Sequence, residues 1–331
     1  MQKVRFGIIG CGQISQLGHI PNLRNIKNAE ITVLSDISDE NIRKALEMVP
    51  EAKVFNDYRA LLKQDDVDVA VIATPNWLHC EQVVASMEAG KDVFCEKPLG
   101  INIEECERIK GVLKKTGSFL QIGHELRHSK VFETAKEKIE EDIIGEVKIL
   151  RYNEFRKPLL QGWRQTGKTG GIMLEKNSHF FDLFNWFAEA APVKVMGIGS
   201  NDVNKESPLI DNCYVLVEYE NGIKAQLTMC LFCENGGQNG MEVIGSKGML
   251  RINGEILEIY NRESSEKIVQ DCTVTPKECM HFGCRRELEA LIECRKENKI
   301  PLNNINNAIE TLKLAKAAED AITTRSIITI K

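Results

Sequence analysis

The chain has 331 residues, 43% of them hydrophobic and 27% charged, with a formal net charge of −5. That mild acidity, with no basic stripe, argues against a nucleic-acid partner. No apolar run approaches the roughly 20 residues that span a bilayer, so no membrane partner is expected.

The length suggests about two domains. Met1-Gln2-Lys3 leads straight into an apolar run, leaving no room for a secretion signal, and the expectation is a cytoplasmic protein. Eleven cysteines are many, but several fall inside expected strands and helices. They read as reduced thiols used as small core hydrophobes. Cys230 and Cys233, and the group Cys279, His281 and Cys284, have metal-like spacings, yet neither makes a complete pair of knuckles, and no metal is expected.

The first element is Val4-Arg5-Phe6-Gly7-Ile8-Ile9, followed by Gly10-Cys11-Gly12 and amphipathic residues. The order is strand, tight turn, helix. Such a turn lets backbone approach a pyrophosphate, and the helix start turns free N–H groups toward it. Ser15 takes the place of a third glycine and is small enough for close helix–strand packing. The next apolar run, 31–35, ends at Asp36, whose carboxylate can accept from ribose hydroxyls. A carboxylate there, with no cationic clamp at Ser35 or Ile37, favours NAD over NADP.

Further apolar runs lie at 67–73, 92–95 and 118–122, with helical stretches at 40–48, 79–89 and 103–115. Asn102 and Glu105 form a capping-box pattern, and Gly117 is placed to end that helix. Alternating strands and helices imply a doubly wound parallel sheet with its ligand at the strands' carboxyl edge. Two segments sit on that edge: Ala73-Thr74-Pro75-Asn76, with His79 beyond, and Glu96-Lys97-Pro98. Pro98 disfavours the α region for Lys97 and keeps it extended. His124 and Arg127 follow the fifth run, as substrate contacts or as polar groups of a domain junction.

After a helix near 129–141 the pattern changes. Strand-like runs lie at 145–155, 193–200, 213–219, 223–232, 241–244 and 249–252. Asn221-Gly222 marks a hairpin and Ser246-Lys247-Gly248 a second tight turn. Helices near 282–297 and 304–322 and a strand at 327–330 close the chain. The fold class is α/β: a Rossmann domain over 1–125, then an α/β domain over 126–331 built on a large, mostly antiparallel open sheet. One face of that sheet needs a cover, so a homodimer or homotetramer through it is expected.

Gly170-Gly171 precedes a helix expected from about Glu175 to Ala188, on which Glu175 and His179 share a face. A carboxylate and an imidazole so placed form a proton relay. The plainer alternative has Glu175 and Asp182 complementing the helix start, with His179 as packing. Trp163 and Arg164 lie on a loop before this segment and are candidates for substrate contact.

Together these motifs resemble the glucose–fructose oxidoreductase / inositol dehydrogenase / MocA (Gfo/Idh/MocA) family along essentially the whole chain. The resemblance implies oxidation or reduction of a hydroxyl or carbonyl of sugars and cyclitols with NAD or NADP. It implies catalytic roles for Lys97, Glu175 and His179. The dinucleotide is expected on Gly10, Gly12, Gln13, Ile14, Asp36, Thr74, Pro75, Asn76, His79, Glu96 and Lys97. Substrate is expected on His124, Arg127, Trp163, Arg164, Lys176 and Asp182. Two departures stand out: Glu175 replaces the usual aspartate, and Lys176-Asn177 replaces a small residue and a glycine. Lys176 is thereby expected to reach substrate or cofactor. Alternatives are a redox-neutral enzyme that retains NAD and a non-catalytic dinucleotide sensor.

Overall fold

The computed structural model describes residues 3–158, 162–233, 239–264, 266–274 and 283–330. These form two compact units. The first takes the described residues up to Ser129 and again 283–309; the second takes Lys130–Val274 and the residues from Glu310 onward.

In the first unit, six strands lie parallel: β1 (Val4–Ile9), β2 (Ala29–Ser35), β3 (Lys53–Phe55), β4 (Val69–Ile72), β5 (Asp92–Glu96) and β6 (Leu120–Gly123). Their order is β3-β2-β1-β4-β5-β6. Helices α1 (Ile20–Arg24), α2 (Asp39–Met48), α3 (Tyr58–Leu62), α4 (His79–Glu88) and α5 (Ile103–Thr116) alternate with them. All four residues of β4 and the last four of β1 are buried, as strands covered on both faces require. The order reverses between β1 and β4, which opens a crevice at their carboxyl ends. Asn102 caps α5, its Oδ1 accepting from the Glu105 amide at 2.9 Å. Glu105 in turn accepts from the Ile101 amide at 2.9 Å, and Gly117 ends the helix at φ +67°. The short elements β3 and α3 were not among the expected ones, because three to five residues carry too little periodicity to stand out.

The second unit contains α6 (Lys130–Glu140), β7 (Val147–Phe155), α7 (Ile172–Glu175), α8 (Ser178–Ala188), β8 (Pro192–Ser200), β9 (Asn212–Tyr219) and β10 (Lys224–Cys230). Then come β11 (Gly240–Gly245), β12 (Gly248–Asn253), β13 (Ile256–Asn261) and β14 (Ile268–Asp271), of which the last two were not foreseen. The chain ends with α9 (Cys284–Glu297), α10 (Ile305–Thr324) and β15 (Ile328–Thr329). The nine-stranded sheet runs β14-β13-β12-β11-β7-β10-β9-β8-β15. Its pairs are antiparallel except β7 with β10. Gly222, at φ +81°, turns β9 into β10 as its sequence demands. Along β9, Cys213, Val215, Val217 and Tyr219 are buried while Tyr214 and Leu216 stay open.

A division at 125/126 treats the chain as linear, but the structure does not keep it linear. Helix α9 returns to the first unit, where Leu288, Leu291 and Ile292 share one core with Phe6, Ile8, Val71 and Phe94. The cause is an apolar stripe at helical spacing that covers an otherwise open flank of the parallel sheet. Polar ties fix it there. Gln121 donates to the Glu287 carbonyl at 2.9 Å, and Arg295 Nε lies 2.5 Å from Asp92 Oδ2. Asn303 Nδ2 reaches the His124 carbonyl at 2.9 Å and Glu287 Oε1 at 3.0 Å. Replacing Asn303 by alanine is expected to cost the first unit about 1–3 kcal/mol, because both acceptors are buried. Denaturant unfolding of the variant against the parent measures this.

Candidate active site

The site begins at the turn after β1. Gly10 has φ +93°, and a Cβ on it would lie 2.7 Å from the Ala73 carbonyl oxygen. Only glycine fits there. Nothing lies within 4 Å of where a Cβ on Gly12 would be, so the backbone at that position is open to close approach. Gln13 is exposed and Ile14 half-buried at the start of a helix over 13–24. Within that helix Ser15–His19 forms a π-turn, just ahead of Pro21, which lacks the amide a regular turn would use. Ser15 is fully buried and its Oγ donates to the Gly10 carbonyl at 2.5 Å, so the substituted third position still closes helix on strand.

Asp36 faces this turn. Its Oδ2 accepts from the Cys11 amide at 2.7 Å and its Oδ1 from the Ser38 amide at 2.8 Å. A carboxylate has about four acceptor positions, so capacity remains for ribose hydroxyls. Burial pushes the Cys11 thiol up to about 12, and the Asp36 charge adds to that, so Cys11 is a packing residue. The donor and acceptor set fits a dinucleotide: an open glycine backbone at a helix start for the diphosphate, and Asp36 for the ribose.

Thr74, Pro75 and Asn76 follow β4, across the crevice from Gly10. Thr74 Oγ1 donates to Gln82 Oε1 at 2.5 Å, and Asn76 is buried. Glu96 ends β5 and Lys97 follows it, half-buried, joined to Pro98 by a cis peptide. Lys97 thus comes to the same sheet edge as Gly10, Asp36 and Thr74. His79 departs from expectation. It is 1% exposed, and its Nδ1 and Nε2 lie 2.7 Å and 2.8 Å from the carbonyls of Pro98 and Thr74. Its ring spans two backbone segments and is not turned outward to a ligand. His124 and Arg127 are each 3% exposed, in and before a 3₁₀ turn beyond β6, and the His124 carbonyl is tied to Asn303.

In the second unit, Glu175 and His179 do not share one helix. Helix α7 ends at Glu175 and α8 starts at Ser178. Asn177 makes the break: its carbonyl accepts from the amides of Phe180 and Phe181 at 3.0 and 3.1 Å, starting a new helix. The four-residue spacing therefore does not place the two side chains on one helical face. Glu175 is 5% exposed, and its Oε1 lies 3.2 Å from Arg164 Nε. The Arg164 guanidinium also lies 4.5 Å from the centre of the Trp163 ring. Trp163, Arg164 and Glu175 thus form one group. His179 is half-buried on α8.

Two substrate assignments are corrected. Lys176 turns to the sheet, its Nζ 2.8 Å from Glu154 Oε1 and 5.2 Å from the Phe180 ring centre. Burial of Glu154 at 5% exposure is the physical reason, since a buried carboxylate requires a cation. Asp182 is 1% exposed, with Oδ1 accepting from Thr311 of α10 at 3.3 Å, a packing position. Asp182 also lies on α8 near Tyr219, whose hydroxyl is pushed well above its ordinary range by burial and by that charge.

Three residues of these clusters escaped sequence reasoning. Glu154 is a carboxylate on the β7 face that carries Tyr152, whose ring stacks on Phe180 at 3.7 Å; a charge at an inward strand position was the available signal. Glu319 of α10 accepts from the Met173 amide at 3.1 Å, and a Cβ on Gly171 would meet it at 2.6 Å. It caps α7, and burial holds its carboxyl above the usual range despite that bond. His19, 1% exposed, is the third. Among the described residues, no group of three or more His, Cys, Asp or Glu is placed to hold a metal ion. Cys279 and His281 lie outside the described residues.

A family model for an oxidoreductase family with an NAD-binding Rossmann fold matches residues 4–124, and that family's C-terminal α/β domain matches residues 136–330. The chain belongs to the Gfo/Idh/MocA oxidoreductase family. It is similar to the myo-inositol 2-dehydrogenase of Thermotoga maritima, 29% identical over 250 residues that cover 75% of this chain and 74% of that protein. It is 28% identical over 252 residues to the inositol 2-dehydrogenase of Salmonella typhimurium, again covering 75% and 74%. The crystal structure of myo-inositol 2-dehydrogenase from Lactobacillus plantarum shares the fold, with a TM-score of 0.86 at 23% identity over 100% of both chains. As a family member the chain is an oxidoreductase with an NAD-binding Rossmann domain.

A charged hydrogen bond is worth about 1.5–3 kcal/mol. Asp36→Ala is therefore expected to raise the KM for NAD about tenfold to a hundredfold. It should also shrink the preference for NAD over NADP, measured as the ratio of kcat/KM values. A parent chain that prefers NADP would contradict the role given to Asp36.

Proposed function

We propose that this chain oxidises a secondary hydroxyl of a cyclitol or related sugar with NAD, and that Lys97, Glu175 and His179 carry the chemistry. The observation behind this reading is Lys97 at the carboxyl end of β5, on the edge that carries the Gly10 turn and Asp36. The substrate class draws support from relatives named for inositols. Gly10, Gly12, Gln13, Ile14, Asp36, Thr74, Pro75, Asn76, Glu96 and Lys97 hold the dinucleotide. When bound, it supplies the hydride acceptor.

His179 takes the hydroxyl proton. Lys97 donates a hydrogen bond to the same oxygen and offsets the charge that develops there. Glu175, held by Arg164 at 3.2 Å, is the carboxylate of this set. Trp163 and Arg164 contribute to the substrate pocket, while His124 and Arg127 are buried within the first unit.

The exposed face of the second sheet carries Met196 and Ile198 on β8 beside Leu216 and Tyr214 on β9, paired in register. Next to them the charges Arg151, Glu242 and Arg251 pair among themselves at 2.9 and 3.1 Å. An apolar patch beside a self-paired ionic one suits a second copy of the chain, as a homodimer or homotetramer. Among the described residues Cys11, Cys80, Cys95, Cys106, Cys213, Cys230, Cys272 and Cys294 are free thiols, in keeping with a reducing, cytoplasmic setting. No helix among them is long and apolar enough to cross a membrane.

Screening cyclitols, aldoses, sugar acids and aminosugars with NAD should give net NADH with at least one cyclitol or sugar. Product formed at constant NADH absorbance would instead support retained, redox-neutral use of NAD. With that substrate, Lys97→Ala and His179→Ala should each lower kcat by about two to four orders of magnitude. The double variant should be little worse than the poorer single one, because both act on one proton transfer. Normal turnover by His179→Ala removes it from the mechanism. Leu216→Lys should lower the assembly state seen by light scattering.

A further inference from the structure

The turn after β5 is held from two sides by histidines on two other segments. On one side His19, in the π-turn that follows the Gly10 turn, brings Nε2 to 2.9 Å from Glu96 Oε1. The His19 ring meets Phe94 of β5 edge-on, with centroids 5.3 Å apart. On the other side His79, at the start of α4, brings its two ring nitrogens to the carbonyls of Pro98 and Thr74. Both histidines are 1% exposed. Glu96 and Pro98 are the residues that flank Lys97. Buried polar groups survive only where they are bonded, and once bonded they specify geometry.

We propose that His19 and His79 are positioning residues that clamp Glu96-Lys97-Pro98 between the diphosphate turn and the Thr74 loop, and so fix where Lys97 is presented. The inference rests on Lys97 acting in the reaction. It assigns a role to His19, and it changes His79 from a ligand contact into a brace acting through Pro98 and Thr74. The three segments follow different strands, so without such ties each would set its own position. A neutral imidazole has one N–H and can donate to only one of the two carbonyls facing His79. Burial lowers the tendency of His79 to take up the second proton, while both carbonyls and the Glu96 charge oppose that effect.

Glu96 gives the clamp a pH signature. Burial pushes its carboxyl up, but the hydrogen bond and charge of His19, with the charges of Lys97 and His79, bring it below the ordinary carboxylate range. The thiol of Cys95, buried beside it, is pushed up by burial and by the Glu96 charge and stays neutral. Removing the imidazole of His19 leaves burial less opposed, so Glu96 takes up its proton at a higher pH. The clamp's negative centre is then lost earlier on acidification.

The test uses full-length His19→Gln, His79→Gln and Glu96→Gln, each checked for folding by circular dichroism. Substrates are NAD and the best polyol of the screen. His19→Gln and His79→Gln should lower kcat about tenfold to a hundredfold while the KM for polyol stays within about threefold. In His19→Gln the acid inflection of the kcat profile that belongs to Glu96 should move to higher pH, and in Glu96→Gln that inflection should disappear while the limb set by His179 remains. Independently of activity, hydrogen exchange at the Lys97 and Leu99 amides of the NAD-free chain should accelerate at least about tenfold in His79→Gln. Should one histidine variant fail to fold, the other together with Glu96→Gln still decides the matter. Folded variants with the parent's kcat and acid inflection overturn the proposal, whatever the exchange shows. Lys97→Ala run alongside separates the two ideas. Full activity in Lys97→Ala sinks the role of Lys97 and the clamp's purpose with it. Loss there with unaltered histidine variants sinks the clamp alone.

Discussion

Everything at the cofactor edge depends on one close approach of backbone to backbone. With a side chain at position 10 the ends of β1 and β4 could not come together, because its Cβ would press on the Ala73 carbonyl. With glycine there, the turn tightens, the Cys11 amide reaches Asp36, and Ser15 closes the following helix back onto Gly10. The crevice itself comes from the reversal of strand order, and the close approach at its head is a consequence of one missing methyl group.

In the first unit, carboxylates drawn away from solvent sit in company. Glu96 is met by His19, Asp92 by Arg295, and Glu287 by Asn303. The second unit follows the same rule, with Glu154 met by Lys176 and Glu175 by Arg164. Burying a carboxylate without such a partner costs several kcal/mol, so each pairing selects one arrangement of its segments. Rigid placement of ammonium, imidazole and carboxylate groups is what hydride-transfer chemistry asks of a protein, since the nicotinamide itself carries the electrons.

Much of this was legible in the residues. The Gly10 turn, the spacing to Asp36, the Asn102 cap, Gly117, and the Asn221-Gly222 hairpin are written in signals a few residues long. The edge segments after β4 and β5 were readable because apolar runs end just before them. His179 was placed on a helix correctly, but the single helix drawn through Glu175 was not, because nothing in the local pattern shows that Asn177 would begin a new one. Lys176 was turned toward substrate for want of its partner, which lies 22 residues earlier on a strand (176 against 154). Asp182 was likewise drawn to the site by proximity in sequence, while α10 held it in the interior.

Sequence alone determined the family, the two-part α/β architecture, the dinucleotide turn and the choice of carboxylate beside it. These depend on backbone preferences and periodicities that act over one turn or one strand. Tertiary structure alone decided that α9 returns to the first unit, that His79 faces two carbonyls, that His19 meets Glu96, and that Arg164 holds Glu175. Those outcomes depend on which distant groups become buried together. A buried charge or ring nitrogen takes whichever partner the packed chain brings within about 3 Å, and no local pattern names that partner.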